Sequence, residues 1–196
     1  MTRAVRALVV TVLLVTVAAC DGTSDGTPVD SPSASSGPSS ASPAGFVAPP
    51  LRLPAVSPEG TCPVAEPSPW PRPDQASRVL GPGPLHPVAD YFDDGVLRLR
   101  DLDRRPDGTY TKKVRWIGSG YTGPVLVRAG RIDGPGRAGV EFSYLGEPRD
   151  GGYHAVLTRP DNDLPASTTV DGPGCYAYQV DGATFSVTVV FRAVAE

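Results

Sequence analysis

The chain has 196 residues, 40% hydrophobic and 20% charged, with a formal net charge of −3 at pH 7. From Glu59 onward 18 acidic side chains stand against 15 basic ones without a basic stripe, which argues against nucleic acid as a partner. Structural zinc takes four ligands and the chain has only two histidines, His86 and His154, so no metal is expected.

At the start of the chain, Met1 to Arg6 carries two arginines, and Ala7 to Ala18 is apolar apart from Thr11 and Thr16. This is the charged start and short apolar run of a secretory signal. A run of about a dozen residues falls short of the roughly 20 that span a bilayer. Val17-Ala18-Ala19-Cys20 closes the run and resembles the lipobox of bacterial lipoproteins. The resemblance implies a signal peptide over residues 1–19, cleavage before Cys20, and diacylglycerol on the Cys20 thiol. Two acyl chains at one residue give stable attachment where a single chain gives only marginal binding. The expected location is the extracytoplasmic face of the cell membrane, held by lipid on Cys20.

Residues 20–57 follow as a linker of Ser, Pro, Gly, Ala and Thr, as in Ser31-Pro32-Ser33-Ala34-Ser35. So few large apolar side chains cannot offset the entropy of ordering the segment, which predicts a disordered tether. As a flexible coil it would span about 30–35 Å. Phe46, Val47, Leu51, Leu53 and Val56 gather at its end, and composition leaves open whether they touch the domain.

Residues 58–196 suit a single domain with its own core. No stretch shows a clean 3.6-residue period, and Gly or Pro interrupts nearly every one. Short alternating runs recur instead, at Val96–Arg100, Tyr110–Ile117, Val125–Arg128, Val140–Tyr144, Cys175–Val180 and Phe185–Arg192. Asp94-Gly95, Asp107-Gly108 and Asp181-Gly182 mark turns between them. Roughly seven to nine short antiparallel strands with turns about every ten residues predict an all-β sandwich of the immunoglobulin-like kind. With Cys20 taken by lipid, Cys62 and Cys175 have one possible pairing, a disulfide in a compartment that tolerates it. Trp116 is placed to pack against that bridge. Tyr176, Tyr178, Phe185 and Phe191 read as core together with a half-exposed tyrosine row.

Thr61-Cys62-Pro63-Val64, Val114-Arg115-Trp116, Gly123 to Asp133, and Gly172-Pro173-Gly174-Cys175-Tyr176 occur in that order. The set resembles a loose group of uncharacterised bacterial secreted proteins and lipoproteins with immunoglobulin-like β-sandwich domains. The resemblance covers most of residues 61–194 and implies the fold. It implies no activity, since the group has none to carry over, and Tyr176 stands where the group usually has Trp.

Candidate chemistry reduces mostly to turns. Gly118-Ser119-Gly120 lacks the spacing and the strand-to-helix context of a nucleophile elbow. Asp101, Asp103 and Asp107 suggest a calcium loop, but Arg104 and Arg105 sit in its middle and no glutamate closes it. Asp161-Asn162-Asp163 reads as turn chemistry, and adjacent Asp93 and Asp94 do not face each other across a sugar as glycoside hydrolysis requires. Pro69-Trp70-Pro71-Arg72-Pro73 reads as an extended surface segment with its Trp buried at an edge. The expectation is therefore a non-catalytic envelope binding or structural module without cofactor, whose partner is an envelope protein or the cell wall. The alternative is a metal-dependent carbohydrate-active or accessory module using Asp101, Asp103 and Asp107.

Overall fold

A computed structural model describes residues 45–196; Cys20, the apolar run and the tether up to Ala44 lie outside the described residues. Among the described residues twelve strands form three sheets. β1 (Pro67–Pro69) and β2 (Arg78–Leu80) make a two-stranded ribbon. One face of the sandwich is β3 (Leu85–Pro87), β5 (Tyr110–Gly118), β10 (Asn162–Val170) and β7 (Ala138–Phe142), in the order β3-β5-β10-β7. The other is β4 (Val96–Leu99), β12 (Ser186–Ala195), β11 (Gly174–Gly182), β6 (Gly123–Arg131), β9 (Gly152–Leu157) and β8 (Glu147–Arg149), in the order β4-β12-β11-β6-β9-β8.

The all-β sandwich is the expected architecture, with more strands than the alternating runs announce. β1, β2, β3 and β8 are three residues each, too short to show a period of two. One pairing, β4 with β12, is parallel rather than antiparallel. In chain order β3, β5, β6, β7, β10, β11 and β12 take the A-to-G places of a constant-type immunoglobulin sandwich, A-B-E-D facing C-F-G. The β8–β9 hairpin is added beside β6, and β4 is added beside β12.

Local chemistry sets the turns. Asp94 and Gly95 both have positive φ, 47° and 81°, and Asp93 and Val96 exchange two hydrogen bonds of 2.9 Å across them. That is the two-residue hairpin turn for which Asp-Gly is suited. The turn joining β11 to β12 closes with the Gly182 N–H donating to the Phe185 carbonyl, so its central residues are Ala183 and Thr184, two downstream of the Asp181-Gly182 signal.

Between the sheets lie Leu97, Leu99, Val114, Trp116, Phe142 and Phe191, all essentially inaccessible to water. Each such side chain contributes about 1.5–3 kcal/mol by leaving water. Tyr178 stacks on Phe191 at 4.7 Å between centroids, and the Trp116 ring meets Tyr178 edge-on at 5.0 Å. The tyrosines are not a half-exposed row: Tyr176 and Tyr178 are wholly buried. Burial becomes affordable because each hydroxyl has a partner, Gly172 O at 2.9 Å for Tyr176 and Thr168 Oγ1 at 2.7 Å for Tyr178. The Tyr176 bond, reaching four residues back at the start of the F-position strand, is a tyrosine corner. Burial pushes the Tyr178 hydroxyl pKa well above its ordinary value, so it stays protonated.

The Cys62–Cys175 disulfide is present, with Cα atoms 5.6 Å apart. It does not pack against Trp116. Alternation along β11 sends Tyr176, Tyr178 and Val180 inward, and therefore Cys175, Ala177 and Gln179 to the outer face. There the bridge joins Ile132, Ala177 and Val190 in a second apolar cluster that Leu53 and Val56 cover. The folded unit thus takes in part of the stretch that composition assigns to the tether. Residues 45–57 lie as a strap over β6 and β11, with the Val56 N–H donating to Ile132 O at 2.8 Å and Phe46 stacked on His154 at 6.0 Å.

Candidate functional site

β3 pairs only with the Trp116–Gly118 end of β5 before the chain crosses to the other sheet as β4. A hydrogen bond from Val88 to Arg115 O and a bridge between Arg104 and Tyr110 tie down the two ends of the rest of that edge. Between them, Thr111 to Val114 lack a strand neighbour on that side among the described residues. Two 3₁₀ turns frame this window, Ala89–Tyr91 and Asp101–Asp103. Each presents a large apolar side chain to solvent, Tyr91 at 42% exposure and Leu102 at 76%.

Two hollows meet at the window. One, about 490 Å³, runs over the outer face of β5 and β10 past Lys113, Arg115, Pro165 and Ser167 to Tyr144. The second, about 590 Å³, continues along the open edge past Lys112, Arg100 and Arg105 to Leu102. They share Tyr91, Lys113 and Ser167 and so adjoin as the two halves of a trough, each within the usual size of a ligand site. Tyr144 closes the far end and is 87% exposed. The alternation from Val140 would send Tyr144 inward beside Phe142. β7 ends at Phe142, where the Ser143 N–H turns to the Pro165 carbonyl, and Tyr144 is released to solvent.

Cations dominate the edge half of the trough. Arg98 donates to Asp93 at 2.6 Å, and Arg100 and Lys112 share the single carboxylate of Asp103 at 3.2 and 2.6 Å. Burial pushes the Asp103 carboxyl pKa up, but hydrogen bonds from Arg100, Lys112 and the Arg100 amide outweigh it and hold it at about 2. Arg115 grips Asp163 with two bonds of 2.8 Å, which holds that carboxyl below its ordinary value. Among the described residues, Lys113 and Arg105 have no carboxylate at ion-pairing distance. The trough therefore offers cations, hydroxyls and aromatic surface. Among the described residues, the lining hydroxyls of Ser143, Ser167 and Thr111 are not hydrogen-bonded to a carboxylate or histidine, and the Lys112 ammonium is held by Asp103.

The other residues singled out by sequence go elsewhere. Asp107 accepts from the backbone and hydroxyl of Thr109, closing its own turn. Among the described residues, no three His, Cys, Asp or Glu side chains are grouped to hold a metal ion. Ser119 Oγ lies 3.4 Å from Asp161, which is paired with Arg72. His86 is buried with Nδ1 3.0 Å from Gly81 O, which only accepts, so that nitrogen carries the proton. Burial lowers the His86 pKa from its ordinary value. Trp70 is 8% exposed, edge-on to His86 at 5.4 Å and bonded to Gln75, so the proline-rich segment is packed at an edge.

A second polar constellation lies under the strap. Arg128 Nη2 is 2.6 Å from Asp181 Oδ2, with side chains 7% and 0% exposed. Gln179 and Ser186 also donate to Asp181. The same groups hold the strap: Arg128 donates to Pro49 O at 2.7 Å, Gln179 donates to Pro50 O at 3.2 Å, and the Arg52 N–H donates to Gln179 Oε1 at 2.6 Å.

The residues of the trough escape a sequence reading because Arg98, Lys113, Tyr144 and Ser167 come from four separate segments. The one signal in the sequence is the doublet Lys112-Lys113, the only lysines in the chain. No family, curated protein or solved structure matches the chain.

Proposed function

We propose that this protein is a lipid-anchored lipoprotein on the extracytoplasmic face of the membrane, whose sandwich serves as a non-catalytic binding module of the cell envelope. The observation that carries the reading is Cys20, directly after Val17-Ala18-Ala19 at the end of a short apolar run behind two arginines. A diacylglyceryl group there would supply two acyl chains, which is what stable anchoring takes. The Ser-, Pro- and Gly-rich composition of residues 21–44 suits a tether between that anchor and the domain. The Cys62–Cys175 disulfide suits an oxidising compartment. The open, polar-floored trough on the β5–β10 face supports a role in recognition rather than turnover.

Detergent-phase partitioning of the wild type against Cys20→Ser tests the anchor. The wild type should enter the detergent phase and the variant the aqueous phase, with the mass difference of the lipid seen on the intact protein. Equal partition of both into the aqueous phase would overturn the anchored reading.

A further inference from the structure

We infer that the trough on the β5–β10 face binds a linear anionic glycan, held between Tyr144 and Tyr91 with its charges met by Lys113 and Arg105. The inference rests on the reading of the domain as an envelope binding module and names the ligand class.

Three observations point the same way. Of the six large apolar side chains most exposed among the described residues, Tyr91, Leu102 and Tyr144 all border this trough. They stand apart, separated by a floor that includes Ser143, Ser167, Thr111 and the Lys113 ammonium. A peptide helix or a lipid surface wants one continuous apolar patch. A sugar chain instead presents apolar ring faces alternating with hydroxyls, which matches separated aromatic faces over a hydroxyl-bearing floor.

The second observation is charge. The whole chain is net negative, yet the edge half of the trough is lined by five cations, of which Arg98 is paired with Asp93, against the carboxylates of Asp103 and Glu196. Asp103 is already shared by Arg100 and Lys112, leaving Lys113 and Arg105 to a ligand. A concave wall carrying one sign of surplus charge concentrates ligands of the other. The third is shape. The two hollows both open to solvent and adjoin at Tyr91, Lys113 and Ser167, so a chain can lie along them and bury one side. A compact small ligand would need most of its surface enclosed.

Lysines on an open strand edge also discourage edge-to-edge pairing. That role predicts no preference between ligands, so it is separable by experiment. The full chain in detergent micelles would be titrated by calorimetry with oligogalacturonate, with dextran sulfate, and with neutral dextran. Saturable binding to at least one anionic glycan and none to neutral dextran is expected, weakening as salt rises. Tyr144→Ala, at an exposed position, should weaken binding about tenfold, and Lys113→Ala should weaken it similarly while flattening the salt dependence. Unchanged circular dichroism and melting would show both variants folded.

Absence of binding to both anionic glycans, or equal affinity in wild type and Tyr144→Ala, would overturn the inference. A parallel titration of full-chain Cys20→Ser with phosphatidylglycerol vesicles supplies the other arm. Binding to vesicles that Tyr144→Ala abolishes, without glycan binding, would reassign the trough to a lipid surface and overturn the glycan. Binding in micelles does not need the anchor. A failed titration therefore leaves the Cys20 reading standing, and failed partitioning leaves the trough standing.

Discussion

Asp181 is fully buried and receives four hydrogen bonds from Arg128, Gln179 and Ser186. A buried pair is weak evidence of stabilisation in itself, but removing one partner strands the other without solvent. Arg128→Met should therefore cost about 3–5 kcal/mol in urea unfolding, and adding Asp181→Leu should restore most of it. A loss under about 1 kcal/mol would mean that the strap lifts easily and water reaches Asp181. That β11 is a strand was legible in the alternating run from Cys175 to Val180, although the same reading predicts half-exposed tyrosines. That both faces are covered was not. Residues 49–52 lie over Gln179 on the outer face, and nothing in a local pattern records a contact 127 residues away, as between Arg52 and Gln179.

The strap shows why composition misjudges such a segment. Ala48-Pro49-Pro50-Leu51 has little apolar area to bury, and Val47 and Leu51 remain 86% and 49% exposed. What holds it is a sparse set of ties: two carbonyls and one amide to Arg128 and Gln179, the Val56 bond, and the side chains of Phe46, Leu53 and Val56. Elements with few buried contacts open at low free energy while the rest of the fold stays closed. Gly130 tests this, because a Cβ there would come within 2.6 Å of Leu53 Cδ1. The colliding atom ends a flexible side chain, so the clash is relieved by moving the strap rather than the sheet. Gly130→Ala should speed hydrogen exchange over residues 46–56 several-fold and leave β6 and β11 protected. Unchanged exchange in the strap would show that Leu53 re-seats and that the polar ties suffice. The trough was hidden for a related reason: only the crossing from β3 to β4 opens the edge at which its separate segments meet.

At the scale of the molecule the disulfide closes a covalent loop that takes in most of the folded unit. Cys62 and Cys175 are 113 residues apart, and the loop between them contains every strand from β1 to β10. The pairing was legible from cysteine arithmetic, whereas its place outside the inter-sheet core was not, because it depends on which way β11 presents Cys175. That place determines what breaking it does. The bridge meets Phe191 at its backbone carbonyl, 3.7 Å from Cys62 Sγ, and clusters apart from the aromatic side chains around Trp116, so the sandwich should keep its packing when both cysteines become alanines. The unfolded chain, by contrast, loses its constraint. On the chain-entropy model a 100-residue loop is worth about 4.7 kcal/mol. Cys62→Ala/Cys175→Ala should thus unfold at lower urea with a stability loss of about 3–5 kcal/mol. Its m-value should rise, since the uncrosslinked denatured chain exposes more surface. Near-ultraviolet circular dichroism from the core aromatics should stay as in the wild type. A lower midpoint with an unchanged m-value and an altered aromatic spectrum would instead place the effect of the bridge in the native packing of Ile132, Ala177 and Val190.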